Sequence, residues 1–371
     1  KESSAASDVY KRQMQYSLLM KKCIELARQA EGNTSPNPLV GCVVLDKNGN
    51  EISTGFHAKY GENHAERDAL LKLKKGEEKD GTLIVNLEPC SHYGKTPPCA
   101  DLIIERGIKK VVIGIRDVNP IVAGNGIKKL QDAGIEVVEN ILEDECIKLN
   151  EVFIKNMTKK QTFVAIKTAA TLDGKTATSK GSSKWITSEK AREEVKKIRN
   201  RYDAIMTSSS TILADNPTMN HRKKIILDRE LKTDFNSPIY KNGEIYVFNG
   251  LKHSCENGIN FIKTPITNNK LKLDFIFQKA YELGIMSILI ESGGILNGEA
   301  LKYADKIYHF VAPKITGDNS SKSCFNFRRI DAINECLNFK IASTEFFEPD
   351  ILLTYYPICL LYTSPSPRDT R

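Results

Sequence analysis

His64 and Glu66 stand two positions apart, and Cys90 and Cys99 follow downstream. One imidazole and two thiolates supply three ligands of a tetrahedral zinc site and leave the fourth position to water. An open fourth position marks a catalytic site rather than a closed structural one. A carboxylate two residues from the histidine can reach that water, take its proton and hand it to a departing amine. Cys99 follows Pro97-Pro98 and is placed to open a helix, where the helix N-terminus favours a thiolate.

The order His-x-Glu followed by Pro-Cys and a second cysteine is the signature of zinc deaminases acting on cytosine- or adenine-like rings. The spacing departs from the usual form, because eight residues separate Cys90 from Cys99 where that pattern has two. The inserted loop carries His92 and Lys95, both suited to a phosphate. Upstream, Asn37 lies in Pro36-Asn37-Pro38 and can hydrogen-bond a ring or ribose. His57 precedes the proposed zinc helix by seven residues. The plain alternative is a helix histidine with two buried thiols, but four residues of the right types in this order argue for the metal.

A second group of residues lies beyond position 160. Lys167-Thr168-Ala169 sits on a strand, Ser183-Lys184-Trp185 precedes a helix, and Asp215-Asn216-Pro217 lies in a loop. Glu291-Ser292-Gly293-Gly294 follows the strand 287–290 and reads as a Gly-rich strand-to-helix turn, whose backbone N–H groups suit a pyrophosphate. No Gly-x-Gly-x-x-Gly opens this half, so a Rossmann cofactor site is not supported. Gly124-x-Gly126 has Lys129 in place of the third glycine and reads as a loop before a helix.

The elements that must hold these residues alternate between strand and helix. Leu19, Cys23, Leu26 and Ala30 form one helical face from Met14 onward. Strand 38–46 and strand 51–56 flank the hairpin signal Asn48-Gly49. Helices are expected at 64–75, 98–106, 127–133 and 142–156, with strands at 83–87, 111–115 and 135–138. After a polar break at 159–161, strands are expected at 162–170, 204–207, 225–228, 245–248, 287–290, 306–311, 339–343 and 351–355. Helices are expected at 189–200, 273–283 and 296–303. Alternation of this kind gives layered α/β sheets, here in two domains, 14–159 and 160–357. Residues 1–13 and 362–371 show no apolar period and read as non-native flanks.

The chain has 371 residues, 40% hydrophobic and 27% charged, with a net charge of +8. That length accommodates two domains, and the balance excludes a disordered chain. No stretch of 18 apolar residues is present, which excludes a membrane-spanning helix. The basic residues are spread out rather than blocked into arms, so the charge suits anionic small molecules better than nucleic acid. Nine cysteines without a secretory signal point to a reducing compartment, the cytoplasm.

The strings Val40-Gly41-Cys42-Val43-Val44, Gly55-Phe56-His57, His64-Ala65-Glu66 and Leu87-Glu88-Pro89-Cys90, continuing through Ser91 to Cys99, resemble the deaminase half of the bifunctional riboflavin-biosynthesis deaminase-reductases. The long spacer is that family's own variant of the cysteine motif. Asp117-Val118-Asn119-Pro120 and Gly124-Asn125-Gly126 match it too. The segments beyond 160 resemble, in order, the family's reductase half.

The resemblance implies a cytidine-deaminase-like three-layer domain followed by a dihydrofolate-reductase-like α/β domain. It implies zinc, NADPH and a phosphorylated pyrimidine substrate, with the chain a homodimer through its second domain. Asn37, His57, His92, Lys95, Lys167, Ser183, Arg199, Met219, Arg222 and Glu291 would then contact substrate. Arg199 and Arg222 would clamp its phosphate. Ala169, Trp185, Thr211, Asp215 and the Gly293-Gly294-Ile295-Leu296-Asn297 turn would contact NADPH. The family usually has a Leu-Thr-x-Arg run where this chain has Met219-Asn220-His221-Arg222. A working deaminase with an inactive reductase half, a nucleic-acid base deaminase and a non-enzymatic zinc-stabilised nucleotide-binding module are the alternative readings.

Overall fold

The computed structural model describes residues 2–93, 97–119 and 123–358, with side chains from residue 13 onward. The chain folds as two compact units, with the division between Gln161 and Thr162.

In the first unit, helix α1 (Glu2–Arg28) precedes the hairpin of β1 (Gly41–Leu45) and β2 (Glu51–Phe56). Then follow α2 (Ala65–Leu71), β3 (Thr82–Leu87), α3 (Cys99–Glu105), β4 (Lys110–Ile115), α4 (Asn125–Asp132), β5 (Glu136–Val138), α5 (Glu143–Leu149) and α6 (Glu151–Lys159). The sheet runs β2-β1-β3-β4-β5, with β1 antiparallel to both neighbours and β3, β4 and β5 parallel. All five residues of β1 are buried, as a strand covered by helices on both faces must be. Helices α1 and α5 touch each other and the sheet, while α2, α3 and α4 form a second contiguous group. The result is the three-layer arrangement the resemblance implied.

The second unit contains β6 (Phe163–Thr171), β7 (Lys175–Ala177), α7 (Glu189–Asn200), β8 (Ala204–Ser208), α8 (Ser209–Asp215), β9 (Lys223–Leu227) and β10 (Glu244–Asn249). It continues with β11 (Ser254–Glu256), β12 (Ile259–Lys263), β13 (Ile266–Thr267), β14 (Lys270–Leu271), α9 (Leu273–Glu282) and β15 (Ser287–Ile290). Last come α10 (Gly294–Ala300), β16 (Lys306–Ala312), β17 (Lys322–Ser323), β18 (Phe339–Phe347) and β19 (Asp350–Pro357). Ten strands form one sheet in the order β11-β12-β10-β9-β8-β15-β6-β16-β19-β18. The stretch from β12 to β16 is parallel, and the outer strands are antiparallel. Alternate residues feed separate cores: Ile225 and Leu227 join one cluster and Ile226 the other. Parallel neighbours bring the ends of β6, β8 and β15 to one edge, where Ile290 is level with both Ile166 and Met206.

Several expectations are corrected. The helix expected at 142–156 is two helices, because Asn150 is buried and its side chain leaves the helical pattern to hold Leu39. Asn150 Oδ1 accepts from the Leu39 N–H at 2.8 Å, and Nδ2 donates to the Leu39 carbonyl at 3.0 Å. The segment 2–13, set aside as a flank, continues α1 upstream of Met14. Asp215 ends a helix, α8, rather than lying in a loop. Strands β11, β13 and β14, of two or three residues each, are too short to show a period, and the five-residue β12 is a strand the sequence reading did not include. The tail from 362 onward lies outside the described residues.

Candidate functional sites in the two units

The first site is assembled where β3 ends and α2 and α3 begin. His64 is the N-cap of α2, Cys90 lies just beyond β3, and Cys99 is the first residue of α3. Their ligand atoms all lie within 4.8 Å of one another. Each sulfur is 3.5 Å from His64 Nδ1. A tetrahedral zinc with ordinary Zn–S and Zn–N lengths separates sulfur from nitrogen by about 3.6 Å. The donor set therefore fits zinc in both chemistry and spacing. The Cys99 N–H donates to Cys90 Sγ at 3.3 Å, and the Cys90 thiol is held low, against burial, chiefly by the hydrogen bond with the Cys99 side chain. The hydrogen bond with Cys90 also raises the His64 imidazole.

Glu66 is 3% exposed in the first turn of α2. Burial pushes its carboxyl up, to about 7, and the charge of Cys90 adds to this. His57 meets His64 edge to face, with ring centroids 5.4 Å apart. His57 Nδ1 is 2.9 Å from the Asn63 carbonyl, and Asn37 Nδ2 is 3.1 Å from His57 Nε2. With the proton on Nδ1, His57 donates to Asn63 and accepts from Asn37. Burial lowers its pKa, in keeping with that neutral form. So Asn37, His57, His64, Glu66, Cys90 and Cys99 come together. His92 is exposed, and Lys95 lies outside the described residues.

Glu88 had no role in the sequence reading, although it sits two residues before Cys90. Its buried carboxylate accepts backbone N–H bonds from Asp117 (3.1 Å), Gly124 (3.0 Å), Gly126 (2.9 Å) and Ile127 (3.2 Å). It thereby fastens the start of α4 to the cysteine turn. A Cβ on Gly126 would lie 2.0 Å from the Pro89 carbonyl oxygen, so only glycine fits there. Asp117 in the same loop has its pKa raised by burial, to about 6.

The second site gathers at the common edge of β6, β8 and β15. Lys167 Nζ lies 3.1 Å from Glu291 Oε2. Arg199, near the end of α7, forks the same carboxylate, with Nε at 2.5 Å and Nη2 at 2.9 Å. Glu291 is buried, which alone would raise its pKa, but Lys167 and then Arg199 hold it down to about 2. Arg199 is thus committed to Glu291, which the sequence did not foresee for an expected phosphate clamp. His221, in the departing segment, reaches the Arg199 carbonyl with Nε2 at 3.1 Å, tying the Met219–Arg222 turn to α7. Arg222 is exposed and Met219 half-buried, with φ +40°.

Of the expected cofactor residues, Thr211 and the 293–297 turn form a neighbouring group. Thr211 Oγ1 is 3.1 Å from Ser292 Oγ, which is 2.8 Å from Ser208 Oγ. Gly293 caps α10, and a Cβ built there meets nothing within 4 Å, so the turn is open. Asn297 is fully buried. Its Nδ2 donates to the Ser292 and Cys324 carbonyls at 3.0 and 3.1 Å, while its Oδ1 has no hydrogen-bond partner among the described residues. Leu296 is buried and Ile295 exposed in the same turn. The hydroxyls and the open glycine turn, which offer hydrogen-bond donors, fit a diphosphate-bearing cofactor such as NADPH. Ala169 and Ser183 are half-buried, while Trp185 and Asp215 are exposed.

Comparison with known proteins bears on both units. The family described as the cytidine and deoxycytidylate deaminase zinc-binding region matches residues 13–115. The RibD C-terminal domain family matches residues 162–353. The riboflavin biosynthesis protein RibD of Actinobacillus pleuropneumoniae is 40% identical over 357 residues, covering 91% of this chain and 94% of its own. The chain belongs to the RibD family. A second RibD, from Escherichia coli strain K12, is 33% identical and covers 92% of this chain and 99% of its own. Among solved structures, the Thermotoga maritima diaminohydroxyphosphoribosylaminopyrimidine deaminase/5-amino-6-(5-phosphoribosylamino)uracil reductase matches with a TM-score of 0.86 at 39% identity, covering 93% of this chain and 99% of its own. An Acinetobacter baumannii RibD matches with a TM-score of 0.85 at 34% identity, covering 94% and 100%. As a RibD-family protein the chain is a bifunctional riboflavin-biosynthesis enzyme, a zinc deaminase joined to an NADPH-dependent reductase. No described helix is long and apolar enough to cross a membrane.

Proposed function

We propose that the chain deaminates 2,5-diamino-6-(5-phosphoribosylamino)pyrimidin-4-one and then reduces the ribosyl group of the product to ribityl. The observation that carries this reading is the His64, Cys90 and Cys99 cluster with the buried Glu66 beside it, on a chain whose second unit presents the Lys167–Glu291–Arg199 cluster. When bound, zinc supplies the Lewis acidity that makes water nucleophilic at neutral pH, and NADPH supplies the reducing equivalents.

His64, Cys90 and Cys99 hold the metal. Glu66 takes the proton from the attacking water and gives it to the leaving nitrogen. The exocyclic bond between a ring carbon and its amino nitrogen breaks, a bond from that carbon to the water oxygen forms, and ammonia departs. Asn37 and His57 position the pyrimidine, while His92 and Lys95 supply charge for its phosphate. In the second unit, Lys167, Ser183, Arg199, Met219, Arg222 and Glu291 hold the substrate. Ala169, Trp185, Thr211, Asp215 and residues 293–297 hold the cofactor. This second step is governed by placement rather than by a strong acid or base.

We assign the deaminase to residues 14–159 and the reductase to 160–357, in a cytoplasmic homodimer formed through the reductase. Sedimentation of the purified chain tests the dimer.

The activity test is one reaction of zinc-loaded protein with the phosphoribosylaminopyrimidine and NADPH, with ammonia and NADPH followed together. Ammonia release followed by NADPH consumption is expected. Ammonia without NADPH consumption would mean an inactive reductase half. Absence of both signals would remove the substrate assignment. Glu66→Gln should keep zinc and lose ammonia release by about 10³-fold, and unchanged turnover would remove Glu66 from its role.

A further inference from the structure

Trp185 is the chain's only tryptophan, and it is 64% exposed. A large apolar ring in that position would ordinarily be free to change rotamer. This one is gripped on both its ring and its backbone. The Arg192 guanidinium sits 4.4 Å above the centre of the indole. Arg192 Nη1 also donates to the Thr187 carbonyl at 2.7 Å, which ties the covering cation to the segment that carries the ring. From another part of the fold, Lys314 Nζ donates to the carbonyl of Trp185 itself at 2.8 Å.

Both cations are in turn anchored. Arg192 lies in the first turn of α7, close to the N-cap Ser188. The Ser188 N–H donates to the buried Asp350 carboxylate at 2.6 Å, and its hydroxyl donates to the Phe347 carbonyl at 3.2 Å. Lys314 follows β16, and its own carbonyl accepts from the Leu172 N–H at 2.8 Å. Just beyond Lys314, the Thr316 N–H (3.2 Å), the Thr316 hydroxyl (2.7 Å) and the Gly317 N–H (3.0 Å) all donate to the Asp173 carboxylate. The guanidinium covers one face of the indole, so the exposure belongs to the rest of the ring.

We propose that Arg192 and Lys314 are positioning residues that hold Trp185 as a preset platform on which an aromatic ring of NADPH stacks. The inference rests on the reading of Trp185 as a cofactor contact and adds what keeps it in place. Immobilising a side chain on binding opposes binding, and a ring already fixed avoids that cost. A cation on one face also leaves the π system only one side to offer, which selects the stacking geometry.

Because Trp185 is the single tryptophan, its fluorescence reads this site alone. In the full-length, zinc-loaded protein, time-resolved anisotropy should show a ring that turns only with the protein, and added NADPH should quench it. Arg192→Gln and Lys314→Met should each introduce a fast anisotropy component. Each should raise the NADPH KM by about fivefold with kcat little changed. Arg192→Lys should restore most of both, since an ammonium can also sit on the indole.

Arg192→Gln and Lys314→Met variants that keep the slow anisotropy and the wild-type KM would overturn the proposal. A rise in KM for NADPH with none for NADH would also overturn it, by making the cation a direct contact to the extra phosphate. If Arg192→Gln fails to fold, Lys314→Met carries the same test. Wild-type emission that NADPH does not quench, in protein that still oxidises NADPH, would instead remove the reading of Trp185 as a cofactor contact. The bracing would still show in the anisotropy.

Discussion

The two sites are built in opposite ways. In the first unit the chemistry-bearing atoms converge within 4.8 Å from the starts of two helices and the end of one strand. In the second unit the comparable residues form separate small groups: an ion-pair cluster around Glu291, a hydroxyl cluster around Ser292 and an exposed, braced tryptophan. A site that activates water needs its ligands at fixed bond lengths, which leaves little freedom in residue type. A site whose reactivity comes with a cofactor needs only shape and charge, which many residues can supply. The first should therefore fail abruptly when one atom is removed and the second by degrees.

The sharpest break is Cys99→Ala. It should abolish stoichiometric zinc, measured by metal analysis, and lower ammonia release by about 10³-fold or more. Reduction of substrate already deaminated should stay within about twofold of wild type, the two units being separate folds. A parallel loss of reduction would mean that the second unit depends on the first.

Next in size is Glu291→Gln, which leaves Lys167 and Arg199 facing a neutral amide in a buried setting. Breaking a buried pair from one side costs about 3 kcal/mol, so the urea midpoint of the second unit should fall while that of the first is unchanged.

The same carboxylate gives a pH signature. Its ordinary value of 4.5 is lowered to about 2 by Lys167 and Arg199, against the effect of burial. A group lowered in the folded state stabilises the fold above its unfolded pKa and loses that contribution as pH falls through the folded one. The second unit should thus weaken as pH drops from about 4.5 towards 2, and Glu291→Gln should flatten that slope. An unchanged slope in the variant would place the acid sensitivity elsewhere.

The smallest effect is expected from Arg199→Lys. A lysine keeps the charge and loses the two-pronged fork. Only a few-fold rise in the KM for the pyrimidine is expected, with the zinc content unaltered. A loss as large as that of Cys99→Ala would show the second site to be as intolerant as the first.

Much of this was legible in the residue string. The alternation of strands and helices follows from side-chain periodicity, and the proposed zinc ligands follow from their types, because few other reasons put His-x-Glu and Pro-Cys in that order. What was not legible depended on neighbours distant in sequence. Asn150 breaks a helix to hold Leu39, 111 positions away, and Glu88 is spent on backbone N–H groups in the 117–127 loop. Short strands such as β13 and β14 carry two residues each, too few to show a period. Arg192 and Lys314 looked like ordinary surface cations until the fold set both around Trp185.

The sequence alone determined which atoms could bind a metal and move a proton, because that chemistry belongs to side-chain types. It also determined the layered α/β class, because hydrophobic periodicity is local. The tertiary structure decided which charges meet. It placed Glu291 between Lys167 and Arg199, His221 on the Arg199 carbonyl and two cations around one exposed indole. Those pairings depend on the register of a parallel sheet, whose crossovers bring together residues far apart in the chain, and no local pattern encodes them.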